Sequence, residues 1–409
     1  MPRTKKTATK AQIKRYFEVN PILKQYPKAR YYFLLGARSC GKTYPTLKHC
    51  LEEYFKGNGV FVYIRRYDKY ITEAKLRDLM AGLIKDDVIS KLSDGRWNRI
   101  KYWQRRWFLE RWEQNEETGI WERVERNPQP VGIAVALNTW EGDKGGDFGA
   151  DKGGISTIIL DETLSEKGDY LENEWSAFQN VISTFIRDRW EKDTKIFLLA
   201  NPLSKYGGPY LRNIGIKKQM MKQFGTYEII YPNEQGQRNK NCMSAIFCYI
   251  AAKTDAKGNT ISIDDTATQV YNKFFAFENS KGKSLSVTHG YWELEDAAAL
   301  PSGVYKNSTK SFCLWIHFGE ELLCIDFMRY DPSGVYYCFI HPSKRIPKNE
   351  YFVTLDMTLD KYGIIGLDTG HPCTKLLGEI WQEKQFYYSD LETADIWHGF
   401  CKECKQRKV

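Results

Sequence analysis

The fold of this chain is decided by the stretch Tyr31-Tyr32-Phe33-Leu34-Leu35-Gly36-Ala37-Arg38-Ser39-Cys40-Gly41-Lys42-Thr43. From Gly36 onward it matches G-x-x-x-x-G-K-[ST], after an apolar run of strand length and before a helical pattern. The glycines permit tight backbone geometry, so that loop N–H groups and the start of the helix surround a polyphosphate. The sequence therefore predicts a nucleotide site formed by Gly36, Ala37, Arg38, Ser39, Cys40, Gly41, Lys42 and Thr43.

Two side chains of this loop have specific expected roles. Lys42 is expected to reach the β- and γ-phosphates, and the Thr43 hydroxyl is expected to bind Mg²⁺. An ordinary glycine-rich turn is the alternative, but the flanking strand and helix favour the nucleotide site. The predicted cofactors are therefore ATP and Mg²⁺.

The composition bounds the class of protein. A chain of 409 residues is long enough for two or three domains, and 27% charged with 42% hydrophobic residues is typical of a globular protein. No apolar run approaches the roughly 20 residues that span a bilayer. The basic stretch from Met1 to Asn20 lacks the apolar segment of a signal peptide. We expect an intracellular protein with no membrane partner.

The net charge of +9 is concentrated at the N-terminus. A solvated tail and contact with nucleic acid are the two interpretations of this basic segment. Its cations, all before the first acidic residue Glu18, are Arg3, Lys5, Lys6, Lys10, Lys14 and Arg15.

The ten cysteines show no disulfide framework. Cys313, Cys324 and Cys338 lie in apolar strand patterns and are predicted to be buried thiols. Cys401 and Cys404 form a single C-x-x-C pair, and no second pair stands at a spacing suited to zinc. We do not expect a metal at that pair.

Apolar runs and helical patterns alternate in the first half of the chain, which predicts a mostly parallel sheet covered by helices. A long aromatic-rich hairpin is predicted over residues 97–127, around a polar turn at 115–119. Its Arg and Trp side chains either stack on nucleic-acid bases or pack on the domain, and we favour packing. The other predicted strands are Tyr31–Gly36, Gly59–Arg65, Val131–Asn138, Ile155–Asp161 and Lys195–Asn201, with a helix over Lys42–Phe55.

The chain is predicted to have three parts. An α/β P-loop ATPase domain covers residues 1–235, and a polar linker or hinge covers 236–304 with one helix near 265–277. A smaller α+β domain covers 305–409. Its predicted elements are the strands Lys310–Phe318, Glu321–Tyr330 and Gly334–His341, followed by a helix near Glu392–Lys405.

An acidic pair at the end of an aliphatic strand predicts that the site hydrolyses its nucleotide. Ile155–Asp161 is followed by Glu162, which puts two carboxylates at the sheet edge where α/β proteins bind ligands. Asp161 is expected to hold Mg²⁺ directly or through water, and Glu162 to polarise the attacking water as general base. An acidic strand end that caps the next segment is the alternative.

Two further polar residues are candidates for the site. Asn201 ends the strand that begins at Lys195, where its amide either senses the γ-phosphate or positions water, or satisfies local backbone groups. Arg187 follows a helical apolar stripe and lies about 140° around the helix from Ile182, so it projects outward. It serves either as an arginine finger for a neighbouring subunit or in a surface salt bridge.

The order of five motifs resembles the genome-packaging ATPases of small short-tailed phages with protein-primed replication. The motifs are GARSCGKT (36–43), FVYIRRY (61–67), TIILDE (157–162), FIRDR (185–189) and LLAN (198–201). The resemblance covers residues 28–210 and implies an additional-strand (ASCE) P-loop ATPase that assembles as a homopentameric ring. It further implies a ring in the host cell cytoplasm that docks at the portal vertex, or connector, of an empty prohead and pumps double-stranded DNA inward. Motors of this group also use a structural packaging RNA.

The same resemblance assigns residues one by one. Lys42 and Thr43 match the Walker A pair, and Asp161 and Glu162 match the Walker B pair. Arg38 matches an arginine that contacts the γ-phosphate, and Arg187 matches the finger that acts in trans. Lys144, in Trp140-Glu141-Gly142-Asp143-Lys144, matches the DNA-facing loop, whereas the second DNA lysine departs from the pattern: Asp68 holds its place and Lys69 follows.

The C-terminal part resembles the RNase H-like nuclease domain of larger packaging motors. A nuclease needs carboxylates on adjacent strands that hold two metals about 3.5–4 Å apart. Asp326 lies in a strand, whereas Asp331, Asp356, Asp360 and Asp368 lie mostly in turn-like contexts. We therefore expect no nuclease activity and a role in docking to RNA or capsid. The alternative functions are a terminase-type packaging ATPase that also cuts DNA, and a nucleic-acid-binding assembly factor without motor activity.

Overall fold

The computed structural model places the described residues in two compact units. Most described residues up to 250 form the first unit, and residues 169–172, 203, 208–212 and those from 300 onward form the second. The structure describes residues 17–36, 40–140, 154–165, 169–186, 193–203, 208–250, 300–318, 321–344, 352–354, 376, 379–380, 382 and 385–407.

The first unit is built on one sheet of ten strands. The strands are β1 (Ala29–Gly36), β2 (Val60–Arg65), β3 (Arg99–Trp103), β4 (Arg106–Gln114), β5 (Trp121–Arg126), β6 (Gly132–Ala136), β7 (Ile155–Asp161), β8 (Lys195–Ala200), β9 (Gly225–Ile230) and β10 (Ser244–Ile250). The described helices before residue 250 are α1 (Asn20–Gln25), α2 (Thr43–Phe55), α3 (Glu73–Leu79), α4 (Ala81–Lys85), α5 (Val88–Leu92), α6 (Glu174–Ile186) and α7 (Pro209–Ile214).

Parallel strands form the centre of this sheet. The order is β3-β4-β6-β2-β7-β8-β1-β10-β9, and β5 pairs with β4. The pairs β2–β6, β2–β7, β7–β8, β1–β8 and β1–β10 are all parallel. Their runs are apolar and buried almost end to end, as expected for strands covered on both faces. The five predicted parallel strands and the helix after the loop are therefore confirmed.

The position of β8 defines the class of α/β sheet. It lies between β1, which precedes the phosphate-loop pattern, and β7, which ends in the carboxylates. The P-loop strand and the acidic strand are thus separated by one additional strand. This is the additional-strand arrangement predicted for the first part of the chain.

The sheet extends further along the chain than predicted. β10 pairs with β1 from Ser244 to Ile250, inside the stretch 236–304 that the sequence assigns to a linker. Its residues are buried, with only Ile250 partly exposed, so this apolar run is a core strand within a polar region. The predicted helix near 265–277 lies outside the described residues, and the three-part division remains a prediction.

The predicted aromatic hairpin is confirmed, but it contains three strands. β4 pairs antiparallel with β3 on one side and with β5 on the other. The connection between β3 and β4 is Gln104-Arg105, with φ of 46° and 59°. Two consecutive left-handed residues are typical of a two-residue hairpin turn, which usually carries Asn-Gly. This turn has no sequence signal, because neither residue is Asn or Gly.

The aromatic side chains of this region divide between core and surface. Trp107 is fully buried and packs on Phe61, Tyr63 and Tyr102, with ring centroids 5.2, 6.0 and 4.9 Å away. Trp103 and Trp121, by contrast, are 46% and 50% exposed. The expected packing on the domain therefore holds for Trp107 and not for Trp103 or Trp121.

A buried carboxylate joins the strands β4 and β5. Glu110 is 2% exposed and accepts hydrogen bonds from Trp112 Nε1 at 2.8 Å and Arg126 Nη2 at 2.6 Å. Arg123 Nη1 donates to the same carboxylate from 3.3 Å. Burial raises the pKa of Glu110, but these hydrogen bonds and the charge of Arg126 lower it below its usual value.

The second unit contains a sheet of five strands in the order β14-β11-β12-β13-β15. The strands are β11 (Ser308–Phe318), β12 (Glu321–Tyr330), β13 (Tyr336–Pro342), β14 (Phe352–Thr354) and β15 (Phe386–Tyr388), and the last helix is α8 (Leu391–Arg407). β11, β12 and β13 form the predicted antiparallel meander, whereas β14 and β15 add in parallel at the two edges. Ile396, Trp397 and Phe400 of α8 join its core. The RNase H-like assignment remains a prediction.

A bilayer-spanning helix is not found among the described residues, because none of their helices is both long and apolar enough.

Replacement of Trp107 by alanine should lower the free energy of unfolding by about 3–5 kcal/mol, because it empties a fully buried indole site. The matched control is Trp103→Ala on the neighbouring exposed strand position, which should cost at most about 1 kcal/mol. Urea unfolding followed by circular dichroism measures both. Equal effects of the two variants would contradict this description of the hairpin base.

Candidate nucleotide site

The loop between β1 and α2 has the glycines that its geometry requires. Gly41 has a φ of 94°, a left-handed conformation that disfavours any side chain. At Gly36, an added Cβ would lie 3.0 Å from Cys40 Sγ and 3.0 Å from Ile250 Cβ, so the backbone there approaches its neighbours closely. Ala37, Arg38 and Ser39 lie outside the described residues.

Lys42 places its ammonium group inside the loop. The residue is 8% exposed, and its Nζ donates to Gly36 O at 2.7 Å and to Asn201 Oδ1 at 3.1 Å. Cys40 Sγ lies 3.6 Å from the same nitrogen. These three partners are uncharged acceptors at the carboxyl end of β1, a position suited to an anion.

This contact also locates Asn201. The residue follows the last residue of β8, Ala200, and its amide reaches Lys42 at the end of the neighbouring strand β1. The structure therefore brings together Lys42 and Asn201, which the sequence predicted separately to lie at one edge of the sheet.

The two carboxylates at the end of β7 have different surroundings. Asp161 is 16% exposed at its side chain and accepts a hydrogen bond from the Tyr63 hydroxyl at 2.6 Å. Glu162 has a left-handed φ of 56°, and its side chain is 60% exposed. Burial and the adjacent Asp161 hold the pKa of Tyr63 well above its usual value, so the phenol stays protonated and donates.

Arg65, at the end of β2, contacts both carboxylates. Its Nη2 lies 2.5 Å from Glu162 Oε2, and its Nη1 lies 3.8 Å from Asp161 Oδ2. The guanidinium therefore balances the negative charge of the acidic pair. No role was predicted for Arg65, although its place directly after an aliphatic strand is the same signal that identified Asp161.

Arg66 forms a second, fully buried ion pair. Its Nε lies 2.7 Å from Glu174 Oε2, with side-chain exposures of 7% and 0%. The same guanidinium donates from Nη2 to Thr163 O at 2.8 Å and from Nη1 to Glu162 O at 3.3 Å. Arg66 thus fixes the backbone after β7 against the first turn of α6. Neither residue has a sequence signal, because a buried ion pair leaves no short-range pattern.

Lys69 lies at the same edge of the sheet, in the exposed turn Asp68–Tyr70. Its Nζ lies 5.1 Å from the ring centroid of Tyr67 and 5.2 Å from that of Tyr70. Arg65 Cζ lies 5.3 Å from the Tyr70 ring, so this turn touches the residue that pairs with the carboxylates. The other predicted DNA lysine, Lys144, and the predicted finger Arg187 lie outside the described residues.

The arrangement has the parts of the additional-strand P-loop fold. A loop with a buried lysine follows β1, a carboxylate pair follows β7, and an amide follows the strand between them. All three groups stand at the carboxyl ends of parallel strands, where open α/β sheets bind ligands.

Comparison with known proteins finds similarity to DNA packaging proteins of phages. The profile of the family described as Podovirus DNA encapsidation protein (Gp16) matches residues 123–236. The DNA packaging protein of Bacillus phage B103 is 24% identical over 200 residues, which cover 48% of this chain and 52% of that protein. That of Bacillus phage phi29 is 25% identical over 198 residues, 48% of this chain and 49% of that protein. The chain spans about half the length of the curated relatives it matches.

Solved structures show the same fold. The phi28 gp11 DNA packaging motor aligns with a TM-score of 0.50 at 16% identity over 96% of this chain and 98% of that chain. The bacteriophage phi29 viral genome packaging motor assembly gives a TM-score of 0.50 at 15% identity over 96% and 99%. The homologues of this chain are thus DNA packaging proteins of phages, and the resemblance inferred from the sequence is confirmed.

Replacement of Arg66 by alanine should destabilise the first unit by about 3–5 kcal/mol, because Glu174 stays buried without the guanidinium that faces it. Arg105→Ala is the matched control: its ion pair with Asp68 is 41% and 43% exposed, and its loss should cost at most about 1 kcal/mol. Urea unfolding measures both effects. A value below that of the control would show that Arg66 does not hold the turn after β7.

Proposed function

We propose that this chain is the ATP-hydrolysing subunit of a motor that moves double-stranded viral DNA into a preformed capsid. One observation carries the proposal: the buried Lys42 ammonium and the carboxylates Asp161 and Glu162 lie at one sheet edge in a chain whose homologues package DNA. A phosphate site beside paired carboxylates fits nucleotide hydrolysis. The similarity to DNA packaging proteins is the reason to propose DNA as the molecule that is moved.

Nucleotide binding is proposed for the loop that follows β1. Lys42 would exchange its contact with Gly36 O for phosphate oxygens, while Asn201 Oδ1 would keep the lysine side chain oriented. Thr43 and Asp161 are the proposed ligands of Mg²⁺, which neutralises the charge that develops on the transferred phosphoryl group. Tyr63 fixes Oδ2 of Asp161, and the backbone N–H of Glu162 donates to Oδ1 at 3.0 Å, so the carboxylate is held in one orientation.

Hydrolysis is proposed to depend on Glu162 as the base. Its exposed side chain projects from a backbone that Arg66 holds, and the Arg65 guanidinium pairs with its carboxylate. Arg65 contacts Oε2, so Oε1 is the oxygen proposed to accept a proton from water. Asn201 is the second group able to position that water, through its amide.

The site is proposed to be completed by a second subunit. Arg187 follows α6 directly, and it is the proposed finger that acts in trans in a homopentameric ring. Arg38, within the loop, is the proposed partner of the γ-phosphate. The ring would act in the host cell cytoplasm while bound to the portal vertex of the prohead, together with a packaging RNA.

DNA is proposed to contact the carboxyl edge of the sheet through Lys69 and the loop that carries Lys144. Contacts of lysine with phosphates carry no sequence information, which suits a motor that must move any sequence. The second unit is proposed to dock on RNA or capsid. Asp326 there pairs with Lys310 at 2.7 Å and not with another described carboxylate, which disfavours the alternative with an active nuclease.

Two substitutions separate nucleotide binding from hydrolysis. Lys42→Ala should abolish DNA-stimulated ATP hydrolysis and weaken ATP binding, because it removes the phosphate-binding ammonium. Glu162→Gln should keep ATP binding but slow hydrolysis by at least about 10²-fold, because the base is lost. Phosphate release measures hydrolysis, and the fluorescence of a bound nucleotide measures binding. Packaging of DNA into purified proheads measures motor activity.

The control for both variants is Lys48→Ala, an exposed lysine on the outer part of α2. Its hydrolysis and packaging should equal those of the wild type. A Lys42→Ala protein that retains DNA-stimulated hydrolysis would refute the proposed ATPase, and unchanged turnover in Glu162→Gln would favour the assembly factor that holds ATP without using it.

Lys69→Ala should weaken DNA binding and reduce the slope of log affinity against log salt by about 1, as expected for one lost phosphate contact. Lys56→Ala is the control, because this exposed lysine follows the far end of α2. Fluorescence anisotropy of a labelled duplex at several salt concentrations gives both slopes. An identical slope in Lys69→Ala and wild type would remove Lys69 from the DNA path.

A further inference from the structure

Four metal-binding side chains share one face of the sheet in the second unit. Cys313 of β11 stands opposite Asp326 of β12, and Cys324 of β12 stands opposite His341 of β13. Cys324 and Asp326 are two residues apart on one strand, so their side chains point to the same face. The register of three antiparallel strands thus brings two thiols, a carboxylate and an imidazole together.

The distances among Cys313, Cys324 and Asp326 suit a single cation, and His341 approaches the other oxygen of the carboxylate. The Sγ atoms of Cys313 and Cys324 each lie 3.4 Å from Asp326 Oδ1, and these three donors lie within 4.8 Å of one another. His341 Nε2 lies 3.4 Å from Asp326 Oδ2. Tetrahedral zinc, with ligand bonds of about 2.0–2.3 Å, separates its donor atoms by about 3.5 Å.

The orientation of His341 and Asp326 is fixed by outer contacts of the kind that metal ligands have. His341 Nδ1 lies 3.1 Å from Pro342 O, and because a carbonyl oxygen only accepts, Nδ1 carries the proton of this contact. Nε2 then faces the Asp326 carboxylate, so it either carries a second proton or binds a cation. The Tyr305 hydroxyl donates to Asp326 Oδ2 from 3.0 Å, which anchors the carboxylate.

A cation already takes part in the cluster. Lys310 Nζ lies 2.7 Å from Asp326 Oδ1, although Asp326 is 1% exposed and the lysine side chain is 44% exposed. The ammonium therefore reaches in from solvent on a flexible stem. A divalent ion that binds the two thiols as well as the carboxylate can displace it, and Lys310 can then remain nearby as an outer counter-charge.

We propose that Cys313, Cys324, Asp326 and His341 bind one zinc ion or a similarly thiophilic divalent cation. Binding releases the two thiol protons and moves the Lys310 ammonium outward. Four protein ligands leave no open position, so the ion would be structural and would tie β11, β12 and β13 together. Sulfur ligands favour zinc over Mg²⁺ or Mn²⁺, which distinguishes this site from a two-metal nuclease centre.

Cobalt titration of the reduced full-length chain tests the proposal. Wild type should bind one equivalent of Co²⁺ with a thiolate charge-transfer band and the visible bands of tetrahedral cobalt, both removed by added Zn²⁺. Cys313→Ser and His341→Ala should each weaken binding by at least about 10-fold. Lys310→Met should bind more tightly than wild type, because the competing ammonium is gone.

The control is the double variant Cys401→Ser and Cys404→Ser, which removes the other thiol pair of the second unit. Its cobalt spectrum should match that of the wild type. Absence of the thiolate band in both wild type and Lys310→Met would overturn the proposal and leave the cluster as a buried ion pair. Loss of the band in the double variant would overturn it as well, by placing the metal at the C-x-x-C pair.

Discussion

Parallel hydrogen bonding between β1, β8, β7 and β2 is the constraint on which the candidate site depends. Leu35 pairs with Ala200, Leu199 pairs with Asp161, and Leu160 pairs with Ile64, so the four strands end at nearly the same level. The apolar runs of these strands are buried. The first position that can hold a polar side chain is therefore the residue that follows each run. This one register therefore places four features at the same edge of the sheet: the loop, the amide, the carboxylates and the paired arginines.

The two arginines after β2 stabilise different parts of the same turn. Arg65 faces the side chains of Asp161 and Glu162, whereas Arg66 faces the buried Glu174 and two backbone carbonyls. One guanidinium therefore balances the charge of the acidic pair, and the other holds the backbone that carries it. This division between Arg65 and Arg66 matters because the Glu162 side chain can then move while its backbone stays in place.

The sequence predicts the parts of this fold whose signals are local. Buried parallel strands are continuous apolar runs, and the loop has a fixed spacing, so both were found without the structure. Ser244–Ile250 was missed because it lies in polar surroundings, and the turn at Gln104-Arg105 was missed because it lacks the usual residues. The pairs Arg66–Glu174 and Cys313–Asp326 join residues far apart in the chain, and only the tertiary register places them together.

The buried carboxylate of Glu110 makes the aromatic hairpin sensitive to acid. Two strands alone are marginally stable, so the outer part of β4 and β5 relies on the bonds from Trp112, Arg123 and Arg126. The pKa of Glu110 is lower in the folded chain than in the unfolded chain. Its contribution to the stability of the hairpin is therefore complete when the pH is above the pKa of the unfolded chain. This contribution is lost as the pH falls through the pKa of Glu110 in the folded chain. The protonated carboxyl group then no longer holds β4 and β5 together through its ion pairs.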